Sequence, residues 1–196
     1  MAVQERGVRT RRGLVLAAAL EIDRAGYEGA TLTRICAAAS VSMGALTFHF
    51  PSKAALADAV QEEGRALAQR LVGRILESPE PTLRAVADLT VGLAGLLEED
   101  VVVRSAARLA RERPQQPDRW VQVWLPAVCD LLERARRAGG GDMVAHPGAV
   151  VALVGYLLTG AEAQMRAGCV SGGGRVAQQV ADIWRFVLDG VAAHSA

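Results

Sequence analysis

Apolar positions recur at steps of three and four residues through most of the chain, whereas the apolar/polar alternation of a half-buried strand is scarce. This pattern predicts an all-α protein. Cap residues, glycines and prolines divide it into helices near 10–25, 32–39, 43–49, 52–77, 82–98, 101–112, 119–138, 147–167 and 175–193. Gly26 closes the first helix, and the hydroxyls of Thr31, Ser42 and Ser52 can cap the starts of the second, third and fourth. Pro79 and Pro81 separate a small N-terminal unit and its long connecting helix from the five later helices, and Pro147 suits the first turn of the eighth helix. The glycine-rich runs at 138–141 and 171–174 follow no strand and fit no phosphate-binding spacing, so they read as connectors.

Two of these helices are short and joined only by Ser40-Val41-Ser42. Their length and tight connection suit a helix-turn-helix, in which the second helix enters the DNA major groove. Ile35 and Ala39 lie one turn apart on the first helix, Leu46 and Phe50 one turn apart on the second, so each offers an apolar edge to a shared core. Met43, Gly44, Thr47, Phe48 and His49 then remain nearer the outside. Gly44 and Ala45 let backbone approach a duplex, Thr47 and His49 can donate to phosphate, and Phe48 can cover a base or sugar edge. Lys53 falls in the first turn of the next helix, where free N–H groups favour an anion. Arg9 of the basic arm, with Thr31, Thr33, Arg34 and Ser42, completes the set of candidate DNA contacts.

Charge changes this picture only in its distribution. The net charge is +1, but residues 1–53 hold seven Lys/Arg against four acids, and the cations bunch in the N-terminal arm and around the short helices. Hydrophobic residues make up 51% of the 196 positions, enough for a sizeable core. No window approaches a membrane span and the N-terminus lacks a secretory pattern, so a cytoplasmic protein without a membrane partner is expected. Three widely spaced cysteines, Cys36, Cys129 and Cys169, fit no metal or disulfide spacing and read as buried hydrophobes. Three histidines without paired carboxylates or cysteines offer no metal site or nucleophile, so neither a cofactor nor an enzyme is expected.

Residues 10–56, above all TLTRICAAASVSMGALTFHFPSKAAL, resemble the DNA-binding domain of the tetracycline-repressor-type (TetR) transcriptional regulators. The resemblance implies a helix-turn-helix domain over 1–51, a helical ligand-binding and dimerisation domain over 52–196 with a connecting helix at 52–77, and a repressor that binds operator DNA. Three positions depart from the family pattern. Ser40 stands where glycine is usual, Met43 where a basic or polar residue is usual, and Thr47 where a phosphate-reaching tyrosine is usual. A decayed DNA domain on a ligand-binding or scaffolding dimer is the competing expectation.

GALTFHFPSKAALADAV is similar to the γ-butyrolactone receptors of antibiotic-producing actinobacteria, as are PDRWVQVWLPAVCDLL and VGYLLTGAEAQ. This narrower resemblance implies a small-molecule effector, a pocket tryptophan (Trp124 first, Trp120 second) and a pocket threonine, Thr159, with Tyr156 three residues before it. It also places Gly64 where a ligand-facing glutamine is frequent, which leaves a lactone or another metabolite as the effector. Pro126 beside Trp124 would kink its helix and open a cavity. The last two helices are too apolar to be covered by their own chain, and two such pairs can form a four-helix bundle about a two-fold axis. A homodimer would set two recognition helices about one DNA turn apart on a near-palindromic operator.

Overall fold

A computed structural model describes residues 2–77, 83–113, 120–138, 146–167 and 175–194, and among these the chain is helical without a strand. The elements are α1 (Ala2–Gly29), α2 (Leu32–Ala39), α3 (Met43–His49), α4 (Lys53–Leu76) and α5 (Leu83–Glu99). They continue with α6 (Val101–Glu112), α7 (Val121–Arg137), α8 (Pro147–Ala167) and α9 (Val176–His194). The all-α expectation holds. The glycine-rich runs fall largely outside the described residues.

The first helix differs most from its expected bounds. Its start lies at Ala2, so the basic arm is helical, and it passes Gly26 to reach Gly29. Gly26 nonetheless breaks the geometry, at φ 76° and ψ 173°. Only glycine reaches that conformation cheaply, and a Cβ there would also meet the Arg108 guanidinium at 2.7 Å.

Two compact units arise from the packing: Met1–Leu67 with Asp100–Trp120, and Ala68–Glu99 with Val121–Ala196. These units cut across the 51/52 division read from the sequence, because α6 packs along α1. Polar contacts fix that joint. Ser105 Oγ, fully buried, donates to the Ala19 carbonyl at 2.6 Å, and Arg104 bonds Asp23 through two nitrogens at 2.9 and 3.0 Å. Arg108 reaches the Asp23 carbonyl at 2.7 Å, and the Tyr27 amide donates to Glu112 at 2.6 Å.

The core of this first unit gathers Leu14, Ala18 and Ile22 of α1, Ile35 and Cys36 of α2, Leu46 of α3, Phe50 just past its end, Leu56 and Val60 of α4, and Leu109 of α6. Full burial of a leucine of this kind contributes about 1.5–3 kcal/mol relative to exposure. The inward placement of Ile35, Leu46 and Phe50 is as the spacing predicts.

In the second unit α5 is the central element, packed against α7, α8 and α9. Its buried face runs from Ala85 through Val86, Leu89, Leu93 and Leu97, and Thr90 Oγ1 bonds the Val86 carbonyl one turn back. Arg175, just before α9, pairs with Glu98 and Glu99 at the end of α5. The helix α7 runs unbroken through Pro126. Pro147 begins α8, as expected. That helix is long and apolar enough to cross a membrane by length and composition alone, with 28% of its apolar window buried. Cys36 is buried as expected, but Cys129 is exposed on α7; Cys169 lies outside the described residues.

Candidate nucleic-acid interface

Local chemistry sets the two short helices rigidly. Thr31 Oγ1 accepts from the Arg34 amide at 3.3 Å and Ser42 Oγ from the Ala45 amide at 3.1 Å, so each hydroxyl caps a helix start. Between them, Ser40 adopts φ 55°, ψ 42°. Its amide bonds the Ala37 carbonyl at 3.2 Å and the Val41 amide bonds the Cys36 carbonyl at 3.0 Å. These two bonds form the Schellman closure that glycine ordinarily permits.

With that turn fixed and Leu46 fully buried, α3 offers Met43, Gly44, Thr47 and Phe48 to solvent. Phe48 is 85% exposed, so it does not pack beneath the long helix α4 and stays on the outer side as expected. His49 is half-buried, its ring edge-on to Phe48 at 5.3 Å. Gly44 has open space in front of it, since a Cβ there would meet nothing nearer than Ser42 Oγ at 3.9 Å. Arg9, Thr33 and Arg34 are also exposed, while Ala45 is half-buried.

Three polar candidates are already engaged. The Thr47 hydroxyl donates back to the Gly44 carbonyl at 3.1 Å, so as it stands its proton is not offered to a phosphate. Arg34 lies 3.4 Å from Glu21, whose carboxyl is held below the ordinary range first by its hydrogen bond to Arg24 and then by Arg34. Lys53 sits over the Tyr27 ring at 4.6 Å and donates to the Glu28 carbonyl at 3.2 Å. Tyr27 and Glu28 were not among the expected site residues. Their sequence signal is weak, because Tyr27 lies 26 positions before Lys53.

The expected ligand residues divide. Trp124 of the second unit is buried, its indole N–H without a hydrogen-bond partner among the described residues, and a Cβ at Gly155 of α8 would lie 3.6 Å from its ring. Trp120 belongs to the first unit, where it lines a small cleft with Gln61, Arg65 and Ala106. Tyr156 and Thr159 are corrected: both are exposed on α8, Tyr156 at 78%, so neither faces the interior beside Trp124. Gly155 stands beside the Trp124 ring instead; Tyr156, the next residue, is turned about 100° away, and Thr159, one turn further on, is exposed.

Gly64 has a structural reason. A Cβ there would fall 2.5 Å from Ala106 Cβ and 2.9 Å from the Val102 carbonyl oxygen, so α4 and α6 cross too closely for a glutamine.

A tight, capped pair of short helices with its second member exposed defines the class of helix-turn-helix proteins. Residues 14–60 match the bacterial regulatory proteins, tetR family. The sequence is 31% identical to the A-factor receptor protein of Streptomyces griseus over 194 residues, 98% of this chain and 67% of the relative. The fold matches the crystal structure of a gamma-butyrolactone receptor (ArpA-like protein) with a TM-score of 0.74 and 29% identity, covering 94% of this chain and 89% of that one. It also matches CprB from Streptomyces coelicolor, solved with its biological operator sequence, at TM-score 0.65 and 30% identity, covering 91% and 96%. The chain belongs to the TetR family of transcriptional regulators.

Proposed function

We propose that this chain is a ligand-responsive repressor that binds a near-palindromic operator as a homodimer and is released by a small hydrophobic effector. The observation that carries the reading is α3, capped at its start, anchored by Leu46 and exposing Met43, Gly44, Thr47 and Phe48. Backbone access at Gly44 and apolar cover from Phe48 suit base edges, and Arg9, Arg34, His49 and Lys53 suit phosphate. The DNA-reading part is residues 1–51; residues 52–196 hold the effector and dimerise. A protein acting on DNA works in the cytoplasm, and we assign it no catalytic activity, since its family is one of regulators.

Dimerisation is supported by the apolar side chains of α8 and α9 in solvent: Tyr156 at 78%, Ile183 at 43% and Phe186 at 81% exposure. A second copy covers these by two-fold symmetry. The same demand accounts for the apolar composition of α8 without a membrane.

The effector reading rests on Trp124, whose buried N–H, unpaired among the described residues, is a donor suited to a carbonyl or ether oxygen in an apolar setting. Gly64 favours an effector recognised without a glutamine at that position, hence a metabolite other than one read by that amide. Effector binding shifts the spacing of the two α3 helices only by its differential affinity for the two arrangements. Fluorescence anisotropy on a labelled operator, with candidate effectors at saturation, tests this: release by one effector, lost in Trp124→Phe, is expected. Unchanged operator affinity with every apolar candidate, although Trp124 fluorescence reports binding, would remove the case for induction.

A further inference from the structure

The chain holds 22 cationic side chains, and only one of them, Lys53, is a lysine. An ammonium differs from a guanidinium in being a compact, strongly hydrated charge on a flexible stem, without the planar fork that pre-organises arginine, so it has more freedom to lose per hydrogen bond when it is fixed. At Lys53 that freedom is already restricted. Its nitrogen lies 4.6 Å from the Tyr27 ring centroid and gives one of its three donors to the Glu28 carbonyl at 3.2 Å, leaving two for an outside acceptor.

The same ring carries a second cation: Arg113 Cζ stands 5.1 Å from the Tyr27 centroid. Arg113 closes the C-terminal end of α6 and is tied to α4 by Asp58 at 2.7 Å and Gln61 at 3.2 Å. The Tyr27 backbone is held to α6 as well, by Glu112 at 2.6 Å. Gln61, itself buried, also lines the cleft with Trp120, Arg65 and Ala106. One aromatic ring therefore connects the end of α6 to the base of the DNA-facing lysine.

We infer that Tyr27 is a positioning residue for the Lys53 ammonium, and that Arg113 ties its ring to the end of α6, so that the setting of α6 regulates the phosphate contact. The inference rests on the operator-binding function proposed for this chain for its consequence on DNA. Its geometric part stands apart from it. Pre-placing the ammonium lowers the ordering cost of contact with phosphate. A displaced Arg113 changes how the ring is held and releases the lysine.

Because Lys53 is the only lysine, reductive methylation with carbon-13 formaldehyde labels one side chain in the full-length protein. The dimethyl-lysine keeps its charge, and its methyl resonance is expected upfield of free dimethyl-lysine from the ring current of Tyr27. The shift is lost in Tyr27→Leu, restored in Tyr27→Phe and altered in Arg113→Gln. On unmodified protein, Tyr27→Leu is expected to weaken operator binding about two- to fivefold, the factor that a partly exposed cation–π contact supports. That loss disappears in the Lys53→Ala background, whose salt slope is lower by about 0.9, one phosphate. A methyl resonance at the free-lysine position, or one indifferent to Tyr27→Leu, overturns the clamp. Losses that add fully in the double variant overturn the positioning role on DNA. A parent protein that selects no duplex, with the methyl shift present, counts against the operator reading while upholding the clamp.

Discussion

Replacing Ser40 with glycine is expected to stabilise the protein without touching a core side chain. Ser40 is the one non-glycine residue of positive φ among the described residues, in the left-handed region at φ 55°, ψ 42°. That conformation costs an L-residue about 1–2 kcal/mol. Glycine removes the cost but loses more backbone freedom on folding, about 0.5–1 kcal/mol. The side chain is exposed and its hydroxyl makes no hydrogen bond among the described residues, so nothing else is forfeited. Both capping bonds belong to the backbone and survive. The difference is a gain of about 0.5–1 kcal/mol, which for a chain of this length raises Tm by about 1–4 °C. Thermal and urea melts of the parent and Ser40→Gly measure it, at one protein concentration because a dimer's stability depends on concentration. Ser40→Val is the opposing control, since a β-branched residue is least tolerated at positive φ. A Ser40→Gly variant no more stable than the parent, with Ser40→Val equally stable, would refute the strain argument.

Other positions give independent checks. Gly64→Ala drives a Cβ to within 2.5 Å of Ala106 Cβ and is expected to cost about 1–3 kcal/mol in urea unfolding, partly recovered by adding Ala106→Gly. Ser105→Ala, which strips the buried Ala19 carbonyl of its 2.6 Å donor, is expected to lower stability by about 1–3 kcal/mol in the same assay. Phe186→Glu, at an 81% exposed apolar position on α9, is expected to shift sedimentation from dimer to monomer while helical circular dichroism is retained. The lowered Glu21 carboxyl contributes stability present above its unfolded pKa and lost as pH falls through the folded value, so Glu21→Gln is expected to flatten the acid limb of a pH–stability curve.

How much of the fold and site was legible in the sequence depended on whether the signal was local. Thr31, Ser42 and the Ile35/Leu46/Phe50 spacing depend on bonds and contacts within a few positions, and these appear in the structure as read. The helical arm before residue 10 was not read, because the run from Ala2 lacks a cap and a clear apolar period. The union of α6 with the first unit depends on Ser105, Arg104 and Arg108 reaching α1 across more than 80 positions, which no spacing rule reveals. Tyr156 and Thr159 failed for another reason. The run VVALVGYLLTG is apolar all round, so periodicity could not say which side faces inward, and Gly155 took the place beside Trp124. Cys129 was misjudged by residue type alone, since its neighbours Leu131 and Leu132 take the buried positions of α7.

The most direct test of the central claim is selection of duplexes from a randomised DNA pool by the full-length protein at stated, moderate salt. The account predicts enrichment of a near palindrome whose half-sites lie about one helical turn apart or a multiple of it, with binding weakened by Lys53→Ala and by Phe48→Ala. Folded, dimeric protein that enriches no sequence would contradict it, and would mean that Ser40, Met43 and Thr47 mark a domain that no longer reads DNA.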